Sequence, residues 1–209
     1  EWRHKQAFLQ RASLAFEILE TLALHDGELQ HQSAHLARMQ ASAAHFGFAW
    51  HSDAAQQALA ALCRLHPQGE WRVRLLLDAA GQFQAQAFAQ APTPATVRLQ
   101  LAREPLANAH SEFVRHKTTR RAHYERLAPT TPGVFDTVLW NEQGEITECT
   151  RGNIALLLDG RWVTPPDRCG LLAGVGRADW LAQGRVPEAA VPLGDLPRVQ
   201  SLVFVNSLL

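Results

Sequence analysis

Four short segments of the sequence carry side chains whose types could do chemistry together. They are HLAR (residues 35–38), Lys117 in RHKTTRRAHYERL, Glu148 in ITECTRGN, and LLAGVGR (residues 171–177). A lysine amine becomes a nucleophile once it is partly deprotonated, and a glycine-bearing turn that opens a helix offers backbone N–H groups to an anion. This arrangement raises the question of whether Lys117 is a solvated surface charge or a reacting amine at a domain junction.

Each of these residues also has an ordinary structural interpretation. Lysine is mostly exposed in proteins, Glu148 could be a polar residue at a strand end, and Arg38 could lie at the rim of an amphipathic helix. The glycines of LLAGVGR fit simple turn geometry. Arg120 and Arg121, which follow Lys117, could help to repel its proton, but exposure to solvent is the favoured interpretation. The order of the four segments taken together, and not any single residue, favours a catalytic site.

Length and composition indicate a globular protein that can bury a sizeable core. The 209 residues are 46% apolar and 19% charged, which is typical of a folded chain. Twenty basic and twenty acidic residues cancel, so the charge favours neither nucleic acid nor an anionic membrane as a partner. No apolar run approaches about 18 residues, so we expect no transmembrane helix.

The cysteines indicate the redox compartment, the histidines bear on metal binding, and the first residues bear on targeting. Cys63, Cys149 and Cys169 are an odd number without CxxC spacing, which favours a reducing, cytoplasmic compartment. His31 and His35 have no HExxH motif or cysteine partner, so we predict no metal site. The opening EWRHKQAFLQRAS lacks the apolar core of a signal peptide, and we expect residues 1–13 to be a linker remnant of a longer product.

The first half of the chain alternates strand and helix signals. LAFEILETLALHDGEL predicts a strand pair with Asp26 and Gly27 at its turn. Ser33 is predicted to cap a helix that ends at Gly47, and Asp53 to cap a second helix through DAAQQALAALCRLH. Three strands are then predicted in WRVRLLLD, QFQAQAFA and ATVRLQLA.

The second half reads mostly as strands. Strands are predicted in VFDTVLWN, EITE, NIALLLDG, RWVTPP and LVFVN, with helical stretches in TTRRAHYERLA and GRADWLAQG. We therefore expect an α+β protein with an N-terminal lobe over residues 1–103 and a β-rich C-terminal lobe over residues 117–209. Residues 104–116 are the predicted connector, which places Lys117 just past the hinge.

The four segments, in this order, resemble the fold-type IV family of pyridoxal-phosphate enzymes, the class IV aminotransferases. The resemblance runs from about Phe16 to the end of the sequence. It implies a two-lobed fold like that of D-amino acid aminotransferase, with a small N-terminal α/β lobe and a mostly β C-terminal lobe. It also implies a homodimer with its sites near the subunit interface.

The resemblance assigns a role to each segment. Lys117 matches the lysine that bonds to the aldehyde of pyridoxal 5'-phosphate and later moves protons. Glu148 matches the carboxylate that keeps the ring nitrogen protonated, which the cofactor needs as an electron sink. Arg38, with the backbone N–H groups of Val175 and Gly176, matches the phosphate site.

Substrate contacts are implied less directly. The resemblance places Asn206, Ser207 and Leu208 beside the substrate, and the remaining candidates for substrate contact are Thr21 and Asn153. Transaminases of this family often have a tyrosine five residues after the lysine, where this chain has Ala122.

Within this family, the sequence is most similar to aminodeoxychorismate lyases of the type that is fused to a chorismate-aminating component. That resemblance implies a lyase that makes p-aminobenzoate and pyruvate for folate biosynthesis, with the aminating component as a fusion or partner. Two alternatives stay open. One is an aminotransferase acting on branched-chain or D-amino acids, and the other is a non-catalytic domain of a fused enzyme.

Overall fold

The computed structural model describes residues 15–208, and over this range ten strands form three sheets. The strands are β1 Ile18–His25, β2 Glu28–Leu29, β3 Glu70–Leu77, β4 Phe83–Ala89, β5 Leu99–Leu101, β6 Asp136–Trp140, β7 Ile146–Cys149, β8 Asn153–Leu158, β9 Arg161–Val163 and β10 Val199–Val205. The helices are α1 Gln32–Phe46, α2 Ser52–Leu65, α3 Glu112–Arg115, α4 Ala122–Glu125 and α5 Val175–Ala182, with 3₁₀ turns at Asp167–Cys169 and Leu193–Arg198. Among the described helices, none combines the length and apolarity that a bilayer-crossing segment needs.

The first sheet has the order β2-β1-β3-β4 and is antiparallel throughout. Asp26 (φ 46°) and Gly27 (φ 83°) form the turn between β1 and β2, as the Asp-Gly pair predicts. Apolar side chains on one face of β1 and β3 pack against α1 and α2. The core residues Ile18, Leu22, Leu24, Met39, Leu59, Val73, Leu75 and Leu77 are all fully buried.

Both helix starts differ from the predictions. α1 begins at Gln32, after His31 in the left-handed conformation (φ 52°), and its cap makes no side-chain hydrogen bond. Ser33 therefore lies inside the first turn, because the chain leaving β2 turns earlier than the capping pattern implies. α2 begins at Ser52, which places Asp53 in the first turn and not at the cap. The predicted helix end at Gly47 (φ 72°) is confirmed.

The two other sheets lie in the second half, with orders β5-β6-β7 and β10-β8-β9. The segment ATVRLQLA forms only the three-residue β5, which pairs in parallel with β6 and not with the first sheet. The turn before β7 is closed by Asn141, whose Oδ1 accepts the N–H groups of Gln143 (3.0 Å) and Glu145 (2.9 Å).

The segment around Lys117 is tied to the first sheet. Leu19 donates its N–H to the Lys117 carbonyl (2.9 Å), and Thr119 donates to the Glu17 carbonyl (2.9 Å). The helix predicted after Lys117 is the single turn α4. The predicted lobe boundaries at 103 and 117 stay predictions, and the predicted linker remnant at residues 1–13 lies outside the described residues.

Gly170→Ala is expected to destabilise the fold well beyond the cost of its backbone conformation. Gly170 has φ 81°, and an added Cβ would lie 2.7 Å from the Ala109 backbone. Gly160 has φ 77° and open space around such a Cβ, so Gly160→Ala measures the conformational cost alone, about 1 kcal/mol. Urea unfolding should show that Gly170→Ala loses about 1–3 kcal/mol more. Equal losses would mean that the connector simply moves away from the new methyl group.

Candidate active site

A cavity of about 570 Å³ lies between the first sheet and the strands of the second half. Its volume suits a small-molecule site. Every candidate residue of the sequence analysis lines it except Gly176. These lining candidates are Thr21, Arg38, Lys117, Glu148, Asn153, Val175, Asn206, Ser207 and Leu208.

Lys117 enters the cavity from the segment paired with β1. Part of its side chain faces the cavity, and protein surrounds the rest. Burial, followed by the positive charge of Arg38, lowers the pKa of Lys117 to about 8, although Glu20 opposes the shift. An amine with this pKa is neutral in roughly a tenth of molecules at pH 7. Lys117 is therefore a partly activated nucleophile.

Glu148 lies on β7 with its carboxyl group buried at the cavity wall. The Tyr124 hydroxyl donates to its Oε1 (2.7 Å), the Leu172 N–H donates to the same oxygen (3.2 Å), and Asn153 Nδ2 donates to Oε2 (3.4 Å). Burial raises the pKa of Glu148 to about 7 in spite of these donors. A cationic group arriving beside Glu148 would hold it ionised.

Arg38 reaches the cavity from α1 in a fixed orientation. Its Nε and Nη2 donate to Oε1 (2.8 Å) and Oε2 (2.7 Å) of Glu20, and its Nη1 donates to the Ala173 carbonyl (2.9 Å). His35, on the same face of α1, forms a 2.6 Å hydrogen bond with Glu20. Burial alone would raise the pKa of Glu20, but the Arg38 charge and the hydrogen bonds from His35 and Arg38 lower it to about 2.

Two glycines at the start of α5 pack closely against other segments of the chain. A Cβ on Gly176 would lie 2.5 Å from the Asn206 carbonyl oxygen, and one on Gly174 would lie 2.0 Å from Asn153 Oδ1. Gly176 therefore packs behind the cavity wall instead of lining it. The first N–H groups of an α-helix have no partner within the helix, and Val175 brings this end of α5 to the cavity.

Arg177 braces the loop before α5. It is almost fully buried, donates to the Pro165 carbonyl (2.8 Å) and pairs with Asp167 (3.1 Å) and Glu188. These contacts fix the loop that leads into the helix start.

The substrate candidates fall into two groups. Ser207 Oγ donates to the Thr21 carbonyl (3.3 Å), and the Leu208 N–H donates to Asn206 Oδ1 (2.9 Å), so these residues close one side of the cavity. The Asn153 side-chain amide instead donates to the Leu172 carbonyl (2.9 Å) and to the Glu148 carboxyl group. Its contacts make it a brace for that carboxyl group.

Three residues of the site were missed or misjudged from sequence. Glu20 shares the buried face of β1 with Ile18 and Leu22, and a charged residue at an apolar position was the available signal. Tyr124 lies seven residues after Lys117 and brings a phenol into the cavity although Ala122 stands at the expected position. Arg121 was predicted to face solvent, but it lines the cavity and contributes to the lowered pKa of Lys117.

Comparisons with known proteins show the family of the chain. The amino-transferase class IV family profile matches residues 17–209. A Schizosaccharomyces pombe protein named "Putative aminodeoxychorismate lyase" is 32% identical over 172 residues, which is 79% of this chain and 73% of that protein.

Solved structures share the fold. A "Putative amino-acid aminotransferase" from Mesorhizobium loti superposes with a TM-score of 0.84 at 35% identity, over 92% of this chain and 95% of that one. The 4-amino-4-deoxychorismate lyase from Pseudomonas aeruginosa has a TM-score of 0.74 at 21% identity, over 92% of this chain and 79% of that one. The predicted α+β, two-lobed class IV fold is confirmed. The chain therefore belongs to the class IV aminotransferase family of pyridoxal-phosphate-dependent enzymes.

Proposed function

We propose that this enzyme binds pyridoxal 5'-phosphate and converts 4-amino-4-deoxychorismate into p-aminobenzoate and pyruvate, a step of folate biosynthesis. The observation that carries the proposal is the convergence of Lys117, Glu148 and Arg38 on one cavity. The S. pombe relative, at 32% identity, supports the choice of reaction.

The residues present fit the cofactor. Lys117 would bond to it, Glu148 would hold its ring nitrogen, and the start of α5 at Val175 would meet its phosphate, while Gly176 packs behind the cavity wall. Arg38 has five N–H groups, of which three are engaged with Glu20 and Ala173. Two remain for a phosphate oxygen. When bound, pyridoxal phosphate spreads the negative charge that forms at the substrate carbon.

The protein's own groups would supply the proton movements. Lys117, with its pKa lowered to about 8, would accept the proton from the ring carbon that bears the amine. The bond from the neighbouring carbon to the ether oxygen then breaks, and the departing three-carbon fragment takes up a proton from Lys117 to leave as pyruvate. Because one proton is removed and one is returned, the net reaction needs no second reactant. Aromatisation of the six-membered ring makes it favourable.

The second candidate is an aminotransferase on the same cavity. The M. loti structure, at 35% identity, carries an aminotransferase name, and Lys117, Glu148 and Arg38 would serve that reaction equally well. An aminotransferase keeps the substrate nitrogen on the enzyme and needs an oxo-acid acceptor to turn over. The need for an acceptor is therefore the property that separates the two reactions.

We also infer a homodimer that takes its substrate from a chorismate-aminating component. The support is the resemblance to class IV aminotransferases, which implies a homodimer with its sites near the subunit interface. Light scattering of the cofactor-saturated protein should give twice the mass of one chain. A mass equal to one chain would contradict the inference.

The lyase reaction can be tested with the two lysines of the chain. The sequence contains only Lys5 and Lys117, so Lys5→Ala is a matched control for Lys117→Ala. Supplied with chorismate, glutamine and an aminating component, the wild type and Lys5→Ala should release p-aminobenzoate and pyruvate without an oxo acid. Lys117→Ala should release neither product and should lack a cofactor absorbance band at about 400 nm.

Three outcomes of this assay would count against parts of the proposal. Product formation only after an oxo acid is added favours the aminotransferase. An absent absorbance band in the wild type favours the non-catalytic alternative. Full activity of Lys117→Ala would contradict the role assigned to that lysine.

Glu148→Gln is expected to stabilise the cofactor-free protein at pH 8 but not at pH 4.5. The pKa of Glu148 is raised from 4.5 to about 7, so between these values the unfolded state ionises before the folded state does. Wild-type stability therefore falls as pH rises through this window, by about 1–3 kcal/mol relative to the glutamine variant. Urea unfolding at both pH values measures the difference, with exposed Glu125→Gln as control. Parallel pH profiles for wild type and Glu148→Gln would show that burial does not perturb this carboxyl group.

A further inference from the structure

Three guanidinium groups besides Arg38 line the cavity, and the proposed cofactor contacts use none of them. Arg72 comes from β3, Arg121 from the residue before α4, and Arg151 from the turn between β7 and β8. Within the described residues, the only carboxylate that lines the cavity is Glu148. Arg38 and Arg151 are paired with Glu20 and Asp136, so the excess of positive charge at the cavity wall comes from Lys117, Arg72 and Arg121, although the chain as a whole is neutral.

Two of these three guanidinium groups have no anionic partner among residues 15–208. The Arg121 Nη2 donates to the Thr150 carbonyl (2.6 Å), and its guanidinium lies 4.6 Å from the centre of the Tyr124 ring. The Arg72 guanidinium lies 5.0 Å from the centre of the Phe88 ring and makes no side-chain hydrogen bond to a described residue. By contrast, Arg151 pairs with Asp136 (3.4 Å).

A partly buried cation without an anion is unfavourable unless a ligand supplies the opposite charge, whereas the exposed Arg72 is hydrated and only adds positive charge. Arg121 is partly buried and uses one of its five N–H groups on Thr150, which leaves four. Two parallel N–H groups of one guanidinium match the two oxygens of a carboxylate. Arg121 can therefore offer a two-point contact, and Arg72 can add a second positive charge from β3 of the first sheet.

We infer that Arg121 and Arg72 form a carboxylate subsite, with Arg151 nearby, and that they select a substrate whose carboxylates lie away from its reacting amine. This inference rests on the proposed function and deepens it. A simple α-amino acid carries one carboxylate, on the same carbon as the amine. 4-Amino-4-deoxychorismate carries two, one on the ring and one on the enolpyruvyl group, and neither is on the amine-bearing carbon. A cavity with several guanidinium groups favours the dianion.

The probe for this subsite is chorismate, which keeps both carboxylates and has a hydroxyl group in place of the amine. Calorimetry on the cofactor-saturated protein should show chorismate binding that weakens as salt is added. Arg121→Gln and Arg72→Gln should each weaken it by about tenfold. Arg121→Lys should recover part of the loss, because lysine keeps the charge but not the two-point geometry.

Neighbouring arginines that do not line the cavity serve as matched controls. Arg120→Gln stands next to Arg121, and Arg74→Gln lies two residues from Arg72 on the same strand. Both should bind chorismate within about twofold of the wild type. In the lyase assay, Arg72→Gln should raise KM more than it lowers kcat and should leave the cofactor absorbance band unchanged. Arg121→Gln should raise KM and also lower kcat, because Arg121 contributes to the lowered pKa of Lys117. Arg72 is exposed on the sheet, so its variant keeps the test valid if Arg121→Gln folds poorly.

The outcomes separate this inference from the proposed function. The wild type could make p-aminobenzoate while both glutamine variants bind chorismate as tightly as the wild type does. That result would overturn the subsite and leave the proposed lyase reaction in place. A wild type that makes no p-aminobenzoate but binds chorismate in an Arg121-dependent manner would overturn the lyase and support the subsite.

Discussion

The backbone pairing between the start of β1 and residues 117–119 is the constraint on which the site depends. Besides the two backbone bonds, the Glu17 N–H donates to Thr119 Oγ1 (2.9 Å), a contact between residues 102 positions apart. The pairing places Lys117 beside the strand that carries Glu20 and Thr21. Glu20 in turn orients Arg38. One seam between the two halves of the chain therefore fixes the amine and the guanidinium relative to each other.

The charges around the cavity are of two kinds. Glu20 is matched by Arg38 and His35, and its lowered pKa means that it stabilises the fold above pH 4.5. That stabilisation is lost only as the pH falls from about 4.5 towards 2. Lys117 and Glu148 have pKa values shifted against their charged forms, mainly by burial. Such groups weaken the fold unless a ligand completes their interactions. The paired charges of Glu20, Arg38 and His35 stabilise the fold. Lys117 and Glu148, whose charged forms are disfavoured by burial, face the cavity in which a ligand would bind.

Local sequence signals anticipated the parts of the fold that short-range rules govern. The Asp26-Gly27 turn and the end of α1 at Gly47 depend on neighbouring residues, whereas the roles of the four segments around Lys117 were inferred from their resemblance to a known family. The predicted helix starts were wrong because the backbone conformation of His31 (left-handed) and of His51 (extended) sets where the helices begin. Capping side chains do not set these positions. The partner of β5 depends on a strand more than thirty residues away, which no local pattern encodes. Glu20 was missed because only folding brings β1 beside Lys117. Arg121 follows Lys117 by four residues, but no local signal shows that its side chain lines the cavity.

Tyr124 is the only tyrosine in the sequence, and its hydroxyl group bonds directly to the Glu148 carboxyl group. Burial and the neighbouring carboxylate raise the pKa of this phenol well above its usual value, so it stays neutral in ordinary buffers. Isotope or fluorine labelling of tyrosine would therefore give a single resonance that originates at the cavity wall. The molecule contains its own site-specific spectroscopic reporter, which can follow ligand arrival without any change to the sequence.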